Sequence, residues 1–234
     1  MNKELNFETY LLITSKKFLL SVKEIQSSKN IYQQEEIFVN DVNLSELSKL
    51  DKFLSENIYK AEKKLNEFIK DIYLIIDSNE FFFLDLSIKK NNNGEVLSTN
   101  NLKHLLNEAR DQCRNTLKYK KIIHIIIDNY LVDNKKFSFM PQNLKCNFFS
   151  IDISFICLSN DSLKPFEKII NKYQISVNRI ISLKYIQTMF KDKNLDTIKM
   201  AKNIINGYNQ NEVALVAKKS TKKGFFEKFF HFFN

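Results

Sequence analysis

Thr9–Val22 reads TYLLITSKKFLLSV, two apolar runs around Thr14-Ser15-Lys16-Lys17. β-rich runs flanking a short polar quartet predict two strands joined by a tight turn. Further along, DVNLSELSKLDKFLSENIYKAEKKLNEFIK places Leu47, Leu50, Phe53, Leu54, Ile58, Ala61, Leu65 and Phe68 at helical spacing. Asn43 and Ser45 are the N-cap candidates of that helix. IYLIID (72–77) and FFFLDLSIKK (81–90) read as strands, and NNNGEV as a turn. A second amphipathic helix runs from Asn100 to about Leu117 through Leu102, Leu105, Leu106, Ala109 and Cys113.

KIIHIIIDNYLV (121–132) and CNFFSIDISFICLS (146–159) are β-branched or aromatic with period-2 stretches, and a short strand is predicted near Phe137–Phe139. Pro165 suits the first turn of a helix ending near Tyr173. ISVNRIISL (175–183) is a strand, 184–206 is helical, and 207–224 loses periodicity and reads as a linker. Strands and helices in this order predict an α/β (α+β) fold without internal repeats.

Composition narrows the function classes. The 234 residues, 44% hydrophobic, suffice for one sizeable domain or two small ones. Cys113, Cys146 and Cys157 are odd in number and widely spaced, which predicts buried thiols and neither a disulfide framework nor a metal site. Glu4 and Glu8 argue against a signal peptide, and no apolar run approaches the roughly 18 residues of a spanning helix. The expectation is a cytoplasmic protein. Glycine occurs only at Gly94, Gly207 and Gly224. Phosphate-cradling loops need glycine for positive φ and close backbone approach, so no nucleotide cofactor is expected. Asp128, Asp133 and Asp152 fall in or beside strands without a paired spacing, so no catalytic residue is expected.

The net charge of +9 raises the alternative of a basic nucleic-acid-binding module. Arginine is nearly absent (Arg110, Arg114, Arg179), and from Lys218 onward five lysines and one glutamate place +4 of the +9 in the tail. The charge is therefore local, and no nucleic acid is expected.

Several ordered stretches resemble FtsA, the actin-like membrane anchor of the bacterial division ring. EEIFVND before the first helix, Ala61-Glu62 near its end, and IKDIYLIID after it are similar to the family's sequence. IIHIIIDNYLVDNKKFSFMP (122–141) resembles the family pattern of an apolar residue and His (here His124), an apolar strand, Tyr, Asp and a later Pro. The resemblance covers about residues 9–190. It implies a partial actin-like 1A subdomain in two pieces, 1–78 and 159–206, with an SHS2-like 1C subdomain inserted at 79–158. It further implies contacts with full-length FtsA or other division proteins, and self-association through 79–158. A pilus-assembly-type relative of the same actin-like group is the other alternative. Where that family carries an Asp-apolar-Gly-Thr/Ser loop for ATP, this chain reads Leu11-Leu12-Ile13-Thr14-Ser15-Lys16. The family's second half, with its other phosphate loop, has no counterpart after about Phe190. A shortened, nucleotide-free adaptor is the implied form.

The chain finishes KKGFFEKFFHFFN. As a helix over 225–234, Phe225, Phe226, Phe229, Phe230, Phe232 and Phe233 fall within an arc of about 160°, opposite Glu227, Lys228, His231 and Asn234. Lys218, Lys219, Lys222 and Lys223 lie just before it. A basic, aromatic amphipathic helix behind a linker predicts reversible attachment to an anionic membrane surface. FtsA-family proteins also finish this way, so the implied location is the inner face of the cytoplasmic membrane.

Overall fold

The two runs around the Thr-Ser-Lys-Lys turn form β1 (Phe7–Ile13) and β2 (Lys17–Glu24), paired antiparallel from Phe7 opposite Glu24 to Ile13 opposite Phe18. The structure, a computed structural model, describes residues 6–42, 47–190 and 196–213. Beyond β2 lies β3 (Asn30–Ile37), which the sequence does not announce. Gln33, Gln34, Glu35 and Glu36 hide it. An edge strand pairs along one side only and needs few apolar residues, so tertiary pairing overrides its polar composition.

From β3 the chain crosses through α1 (Ser48–Leu65) to β4 (Asp71–Ile76), which lies parallel to β1. A parallel neighbour demands a connection of this length. α1 is shorter at both ends than the apolar spacing suggests. Asn66 stops it in the left-handed region (φ 53°), which asparagine tolerates. The cap candidates Asn43 and Ser45 lie outside the described residues. Leu50, Phe53, Leu54, Ile58 and Ala61 are buried along α1, and the Phe53 ring is 5.9 Å from that of Phe18.

The five-stranded sheet runs β3-β2-β1-β4-β9, with β9 (Ser176–Ser182) parallel to β4. On its other face, Lys23 Nζ is 2.7 Å from Asp196, and Lys202 Nζ is 3.3 Å from Glu8. Both contacts involve α5 (Thr197–Ile205) or its N-cap. The helical segments expected over 184–206 are two helices, α4 (Leu183–Met189) and α5. Asp196 restarts the helix by accepting a hydrogen bond from the Ile198 N–H at 3.2 Å.

Among the described residues, the second compact unit comprises 80–160 and 207–213, and the first takes those of 6–79 and 161–206. Its sheet runs β5-β8-β6-β7 through β5 (Phe82–Asn91), β6 (Lys120–Val132), β7 (Lys135–Phe137) and β8 (Phe148–Ser159). α2 (Thr99–Cys113) opens with a capping box between Ser98 and Asn101. It buries Leu105, Ala109 and Cys113 against Ile125, Ile127 and Tyr130 of β6 and Ile151, Ile153 and Phe155 of β8. Cys146 and Cys157 join that core, and all three thiols are free and buried. Burial pushes the Cys157 thiol up to about 12. The α/β class expected from the sequence is thus observed, as two sheets and five helices among the described residues.

Two boundaries need correction. Pro165 is not in a first turn: α3 (Asn160–Lys172) begins five residues earlier, and the proline sits inside it. The helix loses the bond to the Asp161 carbonyl there and keeps Leu163, Phe166 and Ile170 buried. The stretch read as a linker, 207–224, is not free at its start. Asn211–Val213 runs antiparallel beside β6: the Ile127 N–H donates to the Asn211 carbonyl and the Val213 N–H to the Ile125 carbonyl, both at 2.9 Å. Glu212 accepts from His124 at 2.7 Å (Oε1 to Nδ1), and the side chains are 4% and 0% exposed. The segment lacks periodicity because its three paired residues are fixed by an existing edge, not by a pattern of their own. Leaving one partner of a buried hydrogen-bonded pair unsatisfied costs about 1–3 kcal/mol, more for a charged group. Glu212→Ala is therefore expected to lower the unfolding midpoint markedly. A chain truncated after Asn206 should do the same, while truncation after Val213 leaves the midpoint near that of the full chain. Equal midpoints for the two truncations, by calorimetry, would show that the segment does no structural work.

Candidate functional site

The turn between β1 and β2 stands where the resemblance to FtsA implies a phosphate loop, and three of its backbone donors are already used within it. The Thr14 N–H donates to the Lys17 carbonyl at 2.9 Å. Thr14 Oγ1 accepts from the N–H groups of Lys16 at 3.2 Å and Lys17 at 2.8 Å. The outward carbonyls are held as well: Ser15 accepts from the Val42 N–H and Lys16 from the Phe38 N–H, both at 2.8 Å. Anion-binding loops instead aim several N–H groups at one open point. Leu12, in the position where a carboxylate would orient metal and water, is apolar and 2% exposed. Threonine closes the turn because its hydroxyl reaches N–H groups two and three residues ahead, a local motif that needs no glycine.

In the second unit, the structure gathers side chains that the sequence leaves scattered. β8 brings Ser154 opposite Asp85, and Asp152 opposite Ser87. A register shift in β6 between Ile127 and Asn129 leaves Asp128 as an extra residue, so Asp128 and Asn129 both reach this face. Ser154 Oγ is 2.7 Å from Asp85 and 2.5 Å from Asp128. Ser87 Oγ donates to Asp152 at 2.6 Å, and Asn129 Nδ2 donates to its other oxygen at 2.9 Å. The arrangement is a polar ladder across an exposed sheet face. Among the described residues, no group of His, Cys, Asp and Glu is placed to hold a metal ion.

Asp133, the remaining acidic residue beside these strands, lies apart. It has φ 46° in the β6–β7 turn and accepts from the N–H groups of Asn147 and Phe148 at 3.0 and 2.8 Å. Its role is to fix that turn. His124, singled out by its sequence pattern, is buried against Glu212 and faces no cleft in that pairing. Asp85, Ser87 and Ser154 escape a sequence reading because cross-strand register, not spacing along the chain, makes them neighbours. The tail residues Lys218, Lys219, Lys222, Lys223 and Lys228 and the six phenylalanines from Phe225 to Phe233 lie outside the described residues.

No protein-family model and no curated protein matches the chain. Among solved structures, it is similar to the PilM-PilN type IV pilus biogenesis complex, at 9% identity and a TM-score of 0.48, over 80% of this chain and 50% of that one. It is also similar to the cytoplasmic domain of EpsL, an inner membrane component of the type II secretion system of Vibrio cholerae, at 7% identity and a TM-score of 0.37, over 77% of this chain and 58% of that one. A third is a Bacteroides thetaiotaomicron protein with an actin-like ATPase fold and unknown function, at 14% identity and a TM-score of 0.31, over 79% of this chain and 55% of that one. The chain thus spans little more than half the length of these proteins, at most 58%.

Proposed function

We propose that this chain is a non-enzymatic, actin-like scaffold that binds an anionic membrane surface and contacts protein partners there. The observation that carries the reading is the closed Thr14–Lys17 turn, in which the N–H groups of Thr14, Lys16 and Lys17 donate within the hairpin. An actin-like unit without a phosphate cradle keeps its surfaces and lacks the nucleotide site that would make it an enzyme. The partner setting is the finer question. Pilus and secretion assemblies are the settings named for two of the similar structures. A division complex is the setting implied by the 122–141 stretch. The proposal covers the scaffold role common to both.

Membrane attachment rests on the tail sequence. Ordering ten residues as a helix costs about 10–15 kcal/mol. Six buried phenylalanines return about 9–18 kcal/mol, which nearly cancels that cost. Attraction of the neighbouring lysines to anionic lipid, about 1 kcal/mol each, then decides the balance. Attachment is accordingly reversible and weakened by salt.

Two measurements test the reading. A fluorescent ATP analogue should show no binding that unlabelled ATP competes away; micromolar, competable binding would return the chain to the nucleotide-dependent class. In flotation with vesicles containing phosphatidylserine, the full chain should rise with the lipid at low salt and be released by about 0.5 M NaCl. Phe229→Glu with Phe233→Glu should abolish flotation. Undiminished flotation of that variant would overturn attachment through the tail phenylalanines, and a salt-sensitive gel shift with DNA in place of flotation would favour the nucleic-acid-binding alternative.

A further inference from the structure

Among the described residues, several sheet edges carry bulges, charges or a covering segment. β6 carries two register shifts, and its outer side is taken by β7 and by Asn211–Val213. β3 pairs with β2 through a bulge and bears Glu35 and Glu36. β4 and β9 are also joined through a register shift. β5 has no bulge and no covering segment among the described residues, and its charged residues, Asp85, Lys89 and Lys90, are of both signs. It pairs with β8 through ten consecutive positions without a shift, contains no proline, and is an edge strand of its sheet among the described residues. A regular edge of this length can recruit a further strand whose charges match its own.

The core also stops short at this edge. Phe82, Leu84, Leu86 and Ile88 face Cys157, Phe155, Ile153 and Ile151 across the β5–β8 ladder. Those β8 residues are 0–2% exposed, whereas Phe82, Leu84 and Leu86 are only partly buried against the same core. A strand added beside β5 would complete their cover.

We propose that the added strand is β5 of a second copy of this chain, antiparallel, about a twofold axis at Ser87. A twofold axis pairs residues symmetrically about its centre. Centring on Ser87 sets Asp85 opposite Lys89 twice over, Leu86 opposite Ile88, and Ser87 opposite its own copy. Centring on Leu86 instead sets Phe83 opposite Lys89, and centring on Ile88 sets Asp85 opposite Asn91; neither brings opposite charges together. Asp85 and Lys89 are exposed and held on the same face, Asp85 by Ser154 at 2.7 Å and Lys89 over the Phe148 ring at 4.2 Å. Charge complementarity therefore selects both the partner and the register. The inference does not depend on membrane attachment, and it specifies the surface through which such a scaffold would join to itself.

The test uses the full chain carrying Phe229→Glu and Phe233→Glu, which removes association through the tail. In an antiparallel pair, directly opposed Cα atoms lie about 4.5–5.5 Å apart, within disulfide reach. Ser87→Cys at about 100 µM should form a disulfide-linked dimer at least ~10-fold faster than Asn91→Cys, whose copies would lie roughly 27 Å apart in this register. The three native thiols are buried and give little background. Asp85→Lys and Lys89→Asp, each alone, should weaken dimerisation in sedimentation equilibrium by about tenfold. Mixing these two variants should restore it, because each then supplies the charge the other lacks. Equal rates for the two cysteine variants, or a mixture no better than the separate chains, overturns the proposal. So does binding through β5 only to a different protein.

Discussion

Parallel pairing of β1 with β4, from Tyr10 beside Tyr73 to Ile13 beside Ile76, is the interaction on which the first unit depends. β1 has covered faces on both sides, and Tyr10, Leu11, Leu12 and Ile13 are all buried. A strand with two apolar faces has no stable position except the middle of a sheet. Once β1 is central, β2 must return beside it through the Thr14–Lys17 turn, and α1 must cover the crossover to β4. Ile13 also accepts from the Asp77 N–H at 2.9 Å, which joins the outlet of β4 to the start of that turn. The same geometry that makes the sheet continuous therefore draws the turn tight, and the N–H groups of Thr14, Lys16 and Lys17 are engaged within it.

The insertion between β4 and β9 is tolerated because each unit buries its own apolar set. The second unit closes around α2, β6 and β8, with Leu105, Ala109, Cys157 and Ile151 at 0% exposure. Its polar residues are sorted by the pleat: Asp85, Ser87, Asp152 and Ser154 stand on one face, and Leu84, Leu86, Ile153 and Phe155 point to the core. The bulge at Asp128 adds one more carboxylate to the polar side without moving Ile127 or Tyr130 out of the core. These carboxylates are hydrogen-bonded to hydroxyls and an amide of the same face.

In the proposed scaffold role, the chain's two kinds of contact would be separated by chemistry. Its charge is concentrated in a terminal lysine and phenylalanine segment, suited to a lipid boundary. Its β5 edge offers backbone hydrogen bonds and a short charge pattern, suited to another strand. Weak contacts of both kinds reinforce each other when many copies share one surface, since tethering raises the effective concentration of each edge.

Residue order alone determined a good deal. Continuous apolar runs in β1 and β4 and alternation in β8 identified strands, helical spacing identified α1 and α2, and the scarcity of glycine argued against phosphate loops. These signals are local, set by the periods of helix and strand and by what glycine permits. Other features were decided only by the tertiary structure. β3 is a strand because β2 offers it an edge, despite Gln33–Glu36. Asn211–Val213 is ordered structure because β6 has a vacant side and His124 needs a buried partner. Asp85, Asp128 and Asp152 share a face because strand register and a bulge bring them there. In each case the stabilising group is far away in sequence, and pairing geometry, which no local pattern encodes, determines the outcome.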